Sequence, residues 1–189
     1  MTSLATVQPS SQQALTAARH LAAAGEAHQY LTFQLAGEMY AVGILNVKEI
    51  IEYGHLTEIP MMPPFIRGVI NLRGAVVPVV DLAARFGHEA SEIGKRTCIV
   101  IVEVCQGEER HDLGIMVDAV SEVLEIPGSE IEPPPSFGSR IRADFIAGMG
   151  KVAGRFVILL DIQRVLSADE MAVLGDVGKS AHRPAEALA

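Results

Sequence analysis

Apolar and polar residues alternate with a period of two through most of this chain, the signature of β-strands rather than helices. Leu31, Phe33 and Leu35 fall on one side of a strand that starts at Tyr30. After a turn at Gly37-Glu38, Tyr40, Val42 and Ile44 fall on one side of the next. The period blurs at Leu45-Asn46, where a bulge or a single helical turn is expected before Val47 to Ile51. The most informative stretch is Gly68 to Leu82, GVINLRGAVVPVVDL, two apolar arms around the turn Asn71-Leu72-Arg73-Gly74. Gly74 supplies the positive φ that a tight reversal needs. Arg73 is left at the tip of the hairpin. Pro78 lies inside the second arm and cannot donate to a ladder, so that strand is expected at an edge or bulged.

Further along, Leu82 to Phe86 reads as a short helical piece closed by Gly87, and Thr97 to Val104 as a strand. Gln106 to Asp112 reads as a charged hairpin loop. Leu113 to Ile126 is a long apolar stretch whose parity shifts at Ala119/Val120, the mark of a bulge or bend. Pro127 to Asp144, with Pro133-Pro134-Pro135, is expected to be a stiff connecting loop. Phe145 to Met149 and Arg155 to Ile162 make a second hairpin. Ser167 and Glu170 have capping-box spacing for a short helix, about 168–174, that Gly175 ends. Residues 1–27, rich in Ala, Ser, Thr and Gln, read as a mobile extension, and 176–189 as a flexible tail.

The two halves correspond. Tyr40 to Val47 matches Leu113 to Val120 in length, and V-x-E-I (Val47 to Ile50) is echoed by V-x-E-V (Val120 to Val123). Glu58-Ile59-Pro60 is echoed by Glu125-Ile126-Pro127. Gly68 to Asp81 matches Gly148 to Asp161, and both run into a short helix. The pattern therefore predicts an all-β fold of two similar units, each of about five short strands curled into a small barrel. The units are placed at about 28–90 and 91–166, with a groove between them where a partner docks.

Composition sharpens this picture. Hydrophobic residues make 49 % and charged residues 20 %, aromatics only 5 %, with no Trp, so the core is aliphatic. The net charge is −8, with 15 basic and 23 acidic residues and no basic cluster, which argues against a nucleic-acid partner. No apolar run reaches the roughly 18–20 residues that span a bilayer, and Met1 to Gln13 has neither basic start nor apolar core of a secretory signal. Cys98 and Cys105 lie along one strand-like run and point to opposite faces, so they are expected as reduced thiols in a cytosolic protein.

Catalytic motifs are missing: there is no GxSxG elbow, HExxH or P-loop. His20, His28, His55, His88, His111 and His182 are all placed in loops, turns or tails. Asp81 and Asp161 end equivalent strands, and N-capping of the helices that follow explains both. The glycines of GMGKVAG join two strands, so they lack the helix dipole of a phosphate loop. No metal, cofactor or catalytic residue is assigned. What remains is a surface: Val47 and Glu49, two apart on a strand and so expected on one face, with Arg73 nearby, suited to pairing with a partner's carboxylate.

The order V-x-E-I (Val47 to Ile50), GVINLRGAVVPVVDL (Gly68 to Leu82), GIMVDAVSEVL (Gly114 to Leu124) and GMG…FVILLDI (Gly148 to Ile162) closely resembles the CheW family of chemotaxis coupling proteins. The resemblance covers about residues 28–175 and excludes both ends. It implies two SH3-like five-stranded barrels with short helices, and a non-enzymatic adaptor in the cytoplasm, recruited to receptor arrays. It implies two partners, the cytoplasmic tip of methyl-accepting chemoreceptors and the regulatory domain of the histidine kinase CheA. By motif, it ties receptor binding to Val47, Glu49 and Arg73, and gives Asn71 and Gly74 the turn. Two other readings stand beside it: a CheW-like adaptor of a pathway for pili, biofilm or second messengers, and a small-ligand-binding barrel or enzyme using the groove.

Overall fold

The computed structural model describes residues 27–134 and 143–180. Residues 1–26 of the expected extension, the middle of the proline-rich loop and the end of the tail lie outside them, while Ala27 already belongs to a strand. The strands are β1 (Ala27–Leu35), β2 (Glu38–Gly43), β3 (Val47–Glu52), β4 (Ile66–Leu72), β5 (Ala75–Asp81), β6 (Cys98–Gln106), β7 (Glu109–Val117), β8 (Ala119–Pro127), β9 (Ile131–Glu132), β10 (Ile146–Val152) and β11 (Arg155–Leu160). Two helices join them, α1 (Leu82–Arg85) and α2 (Ala168–Ser180). Sheet I has the order β8-β1-β2-β11-β10-β9, and sheet II the order β3-β6-β7-β5-β4. This is an all-β, SH3-like fold.

Three apolar clusters show how the sheets pack. Sheet II curls around Val77, Val79, Ile99, Ile101 and Met116. Sheet I curls around Ala41, Ile126, Val157 and Leu159. The largest cluster lies between the sheets, joining Leu31, Phe33, Leu35, Tyr40 and Val42 to Val100, Val102, Val104, Leu113, Ile115 and Val117. Period-two alternation assigns these faces: on β6, even-numbered residues face the shared core and odd-numbered ones face the interior of sheet II. Within the shared core a run of rings, Phe33, Tyr40, Phe86 and Phe145, stacks at centroid distances of 5.7–6.1 Å. Burial, with the Glu38 charge second, pushes the Tyr40 hydroxyl pKa up to about 12.

The sheets do not follow a single cut near residue 90. β1 and β2 lie in sheet I, but β3, β4 and β5 lie in sheet II; β6 and β7 lie in sheet II, but β8 to β11 lie in sheet I. β3 therefore pairs with β6, and β8 pairs with β1. Each half of the chain contributes its first two strands to one sheet and the rest to the other. The crossing points are the places where period two breaks: a 3-10 turn at Ile44–Asn46, and Asp118 between β7 and β8.

Pro78 sits in a strand flanked on both sides, yet it costs no ladder bond. Val69, its partner in β4, exchanges both backbone bonds with Thr57, so Pro78's nitrogen faces away from β4. On that other side pairing with β7 begins only at Val79. A bulge does occur, in β4 between Ile66 and Gly68, where Gly68 has φ 148° and a Cβ would run into the Thr57 carbonyl.

Four local expectations need correction. Gly175 does not end α2, which continues to Ser180; one glycine inside a helix costs only about 1 kcal/mol. Residues 106–112 are not a loop: β6 and β7 pair out to Gln106 and Glu109, leaving only two residues to turn. His111 is consequently a strand residue, as is His28 in β1, while His20 and His182 lie outside the described residues. Within the proline-rich connection, Ile131–Glu132 pairs with Met149 and Gly150 as β9.

Both aspartates cap. Asp161 accepts from the Gln163 N–H, and Asp81 from Ala83 and Ala84. Asp81 does more. Fully buried, it also accepts from the backbone N–H and hydroxyl of Ser91 at 2.9 Å each, and lies 3.6 Å from Arg67 Nε. Asp81→Ala is expected to cost about 2–4 kcal/mol by urea denaturation, because it leaves the buried Nε of Arg67 and the buried Ser91 amide without their carboxylate. Asp161→Ala is expected to cost only about 1 kcal/mol, the worth of a cap. Expressed separately, residues 1–90 and 91–189 should each lack a cooperative unfolding transition and regain one when mixed. A cooperative transition from either half alone would contradict the strand exchange.

Candidate functional site

Arg73 and Gly74 form a two-residue turn between β4 and β5, with φ of 52° and 87°. Positive φ at both positions is the type I′ geometry that matches strand twist. The Asn71 side chain fixes it, Oδ1 accepting from the Gly74 N–H at 2.9 Å. Arg73, though not a glycine, is held in the left-handed region by this turn. Its guanidinium leaves the tip and meets Glu49 on β3 through two parallel hydrogen bonds, Nη1 to Oε1 at 3.0 Å and Nη2 to Oε2 at 2.9 Å.

β3 and β4 are the two outer strands of sheet II. The ion pair therefore ties one edge of the curled sheet to the hairpin at the other. A second tie is the reciprocal pair of backbone bonds between Thr57 and Val69. The Arg73 side chain is 78 % exposed and that of Glu49 25 %, so the arginine stays open to solvent while the carboxylate is shielded.

Val47 and Glu49 do not share a face. The β3–β6 register shifts between them: Val47 lies opposite Val102, and Glu49 opposite Ile101. This bulge sends Val47 into the shared core and turns Glu49 to the interior side of sheet II, beside Ile51. Ile50, opposite Val100, is instead 43 % exposed, and Leu45 in the preceding turn 97 %. Residue spacing could not reveal a bulge that inserts one position.

Lys48, the inserted residue, was not singled out by sequence. Its ammonium meets Asp112 at 2.6 Å and Glu103 at 3.3 Å. The hydrogen bond to Asp112 chiefly raises its pKa. Arg85 was also missed. It stacks between Phe65 and Phe145, 4.7 and 5.1 Å from their centroids, donates to the Val165 carbonyl, and pairs with Glu170. Glu170 in turn accepts from the Ser167 N–H, whose hydroxyl accepts from the Glu170 N–H, a complete capping box. Only the Ser167/Glu170 spacing is legible in sequence; the arginine that locks it comes from a distant segment.

Among the described residues no group of three His, Cys, Asp or Glu is placed to hold a metal, and no helix is long and apolar enough to cross a membrane. Cys98 is half-buried and Cys105 exposed, both as free thiols. The arrangement offers recognition: a rigid hairpin tip with a guanidinium whose present partner a second carboxylate can replace.

The sequence model for the CheW-like domain matches residues 29–170. The chain is 37 % identical over 152 residues to chemotaxis protein CheW of Klebsiella aerogenes, covering 80 % of this chain and 89 % of that protein. It is 30 % identical over 151 residues to protein FrzA of Myxococcus xanthus, covering 78 % and 91 %. The crystal structure of scaffolding protein TtCheW from Thermoanaerobacter tengcongensis superimposes with a TM-score of 0.69 at 34 % identity, covering 77 % of this chain and 91 % of that one.

An exposed pair of this kind contributes little to stability. A double-mutant cycle with Glu49→Gln and Arg73→Gln should return a coupling energy of about 0.2–1 kcal/mol in chemical denaturation. A coupling well above that would make the pair chiefly a structural clasp.

Proposed function

This chain belongs to the CheW-like domain family, and we propose that it is a non-enzymatic chemotaxis adaptor that couples methyl-accepting chemoreceptors to the histidine kinase CheA. The match of residues 29–170 to the family carries this reading. The Arg73 hairpin gives it a physical basis. A receptor element bearing a carboxylate competes with Glu49 for a guanidinium already held in place, so little ordering entropy opposes binding. Val47 acts from behind, by seating β3 on the shared core, while Glu49 and Arg73 meet the receptor tip.

The kinase's regulatory domain is held on the opposite barrel. Receptor state passes to the kinase through differential affinity for its on and off arrangements. Individually modest contacts are strengthened by repetition in an array at the cytoplasmic face of the membrane. A second reading is the same adaptor role in another chemosensory pathway. Binding to a kinase but to no chemotaxis receptor would favour it.

Size-exclusion co-elution of this chain, a receptor cytoplasmic fragment and the CheA regulatory domain, pairwise and together, tests the coupling role. A ternary complex is the expected result; a folded protein that binds neither partner would refute it. Arg73→Glu should weaken receptor binding at least about tenfold, the scale of one lost charge-assisted contact, while lowering the melting temperature by only about 2–4 °C and leaving kinase binding unchanged. Unchanged receptor affinity would remove Arg73 from the interface.

A further inference from the structure

Residues 53–58, which follow β3, wall a cavity of about 620 Å³ together with Arg67 of β4 and Ile93 of the connection between the halves. Backbone bonds hold this wall at both ends. The Tyr53 N–H donates to the Thr97 carbonyl, and Thr57 exchanges two bonds with Val69. Arg67 lies at the start of β4 and Arg73 just past its end, so the cavity is separate from the Glu49–Arg73 pair. A cavity of this size suits a small molecule.

Arg67 is the residue that the β4 bulge inserts. Ile66 lies opposite Val80 and Gly68 opposite Val79, which leaves Arg67 outside the ladder. A bulge of this kind re-aims a side chain. The repeat shows that the bulge itself needs no arginine: the matching shift in β10 falls between Ile146 and Gly148, and inserts the exposed Ala147.

The guanidinium is held from behind. Nη2 donates to the Ser91 carbonyl at 3.0 Å, and the buried Nε lies 3.6 Å from Asp81 Oδ2, too far for a hydrogen bond. Asp81 already accepts four hydrogen bonds, from the Ala83 and Ala84 N–H groups and from the Ser91 N–H and hydroxyl. Its charge therefore fixes Arg67 without consuming the arginine's donors. Both Nη1 hydrogens and the second Nη2 hydrogen have no acceptor among the described residues, and the side chain, 28 % exposed, lines the cavity.

The rest of the lining defines what fits. Tyr53 and Leu56 pack on the interior cluster of sheet II and give the cavity an apolar side. Ile93, 56 % exposed, adds apolar surface that belongs to none of the three core clusters. Glu58 is the one carboxylate among the lining residues. A dianion would be repelled by Glu58 and by a chain of net charge −8. A single carboxylate can take the Nη1–Nη2 edge through two parallel hydrogen bonds.

We infer that this cavity binds a small monocarboxylate with an apolar body, its carboxylate on Arg67 and its body against Leu56 and Ile93. The site goes beyond the coupling reading and does not depend on it.

The full-length chain is titrated with benzoate, phenyl phosphate and benzyl alcohol and followed by NMR, at about pH 8 where phenyl phosphate is a dianion. Benzoate is expected to move the Arg67 Nε–H and the backbone amides of residues 54–58 saturably, with a dissociation constant of about 1–10 mM for so small a ligand. Benzyl alcohol is expected to leave them unmoved. Arg67→Lys keeps the charge beside Asp81 but removes the fork, and Ile93→Glu adds a carboxylate at an exposed position of the wall. Each is expected to weaken benzoate at least about fivefold. No saturable shift up to about 50 mM benzoate overturns the site, as does unchanged affinity in both folded variants. If Arg67→Lys does not fold, Ile93→Glu alone decides. Tighter binding of phenyl phosphate, or equal shifts with benzyl alcohol, overturns the monocarboxylate class. Shifts confined to Glu49 and residues 71–74 put the anion on the Arg73 tip and overturn the site too. Co-elution with receptor and kinase fragments reads the coupling role separately, so neither result decides the other.

Discussion

The shared aliphatic core between the two sheets is the constraint on which the rest depends. Each sheet alone is small, and the clusters inside them are modest beside the one that joins them. Because β3 crosses to β6 and β8 crosses to β1, neither sheet can form without strands from both halves. Cooperativity follows directly: long-range pairing, rather than the stability of separate modules, holds the molecule together. The Arg85 clamp and the Asp81 anchor reinforce the same joint. Arg85 fastens the start of α2 to the first half, and Asp81 pins the connection between halves through Ser91.

Function rests on the same architecture. The Arg73 hairpin gains rigidity from a type I′ turn, from the Asn71 bond and from a glycine at position 68 that lets Thr57 approach. None of these touches a partner. They fix where the guanidinium sits, and the bulge in β3 turns Glu49 to meet it. The Glu49–Arg73 pair adds little to folding, yet it presents a charge whose position is already settled.

Much of this was legible in the residues. The alternation over Leu31 to Ile44, the glycine-ended hairpin, the repeat and both capping aspartates are written in local patterns, and the folded chain realises them. The parity shift at Ala119/Val120 even marks where β7 gives way to β8. What local pattern could not convey was partnership. A period-two run says which side of a strand is apolar, but not which strand lies beside it, so the repeat read as two consecutive barrels. The bulge between Val47 and Glu49 escaped for the same reason: it is defined by register against β6. Arg85 and Lys48 escaped because their partners, Glu170 and Asp112, lie far along the chain.

The reciprocal placement of the two repeats also bears on ancestry. A chain carrying one repeat would hold two strands of one sheet and the remaining strands of another, and could finish neither. Two such chains related by a two-fold axis would finish both, with the shared core as their interface. The present molecule then has the form of a symmetric dimer tethered through residues 86–97. A tethered dimer need not keep its ends alike, and here they differ: an arginine stands at 73 where the matching turn has an alanine at 153.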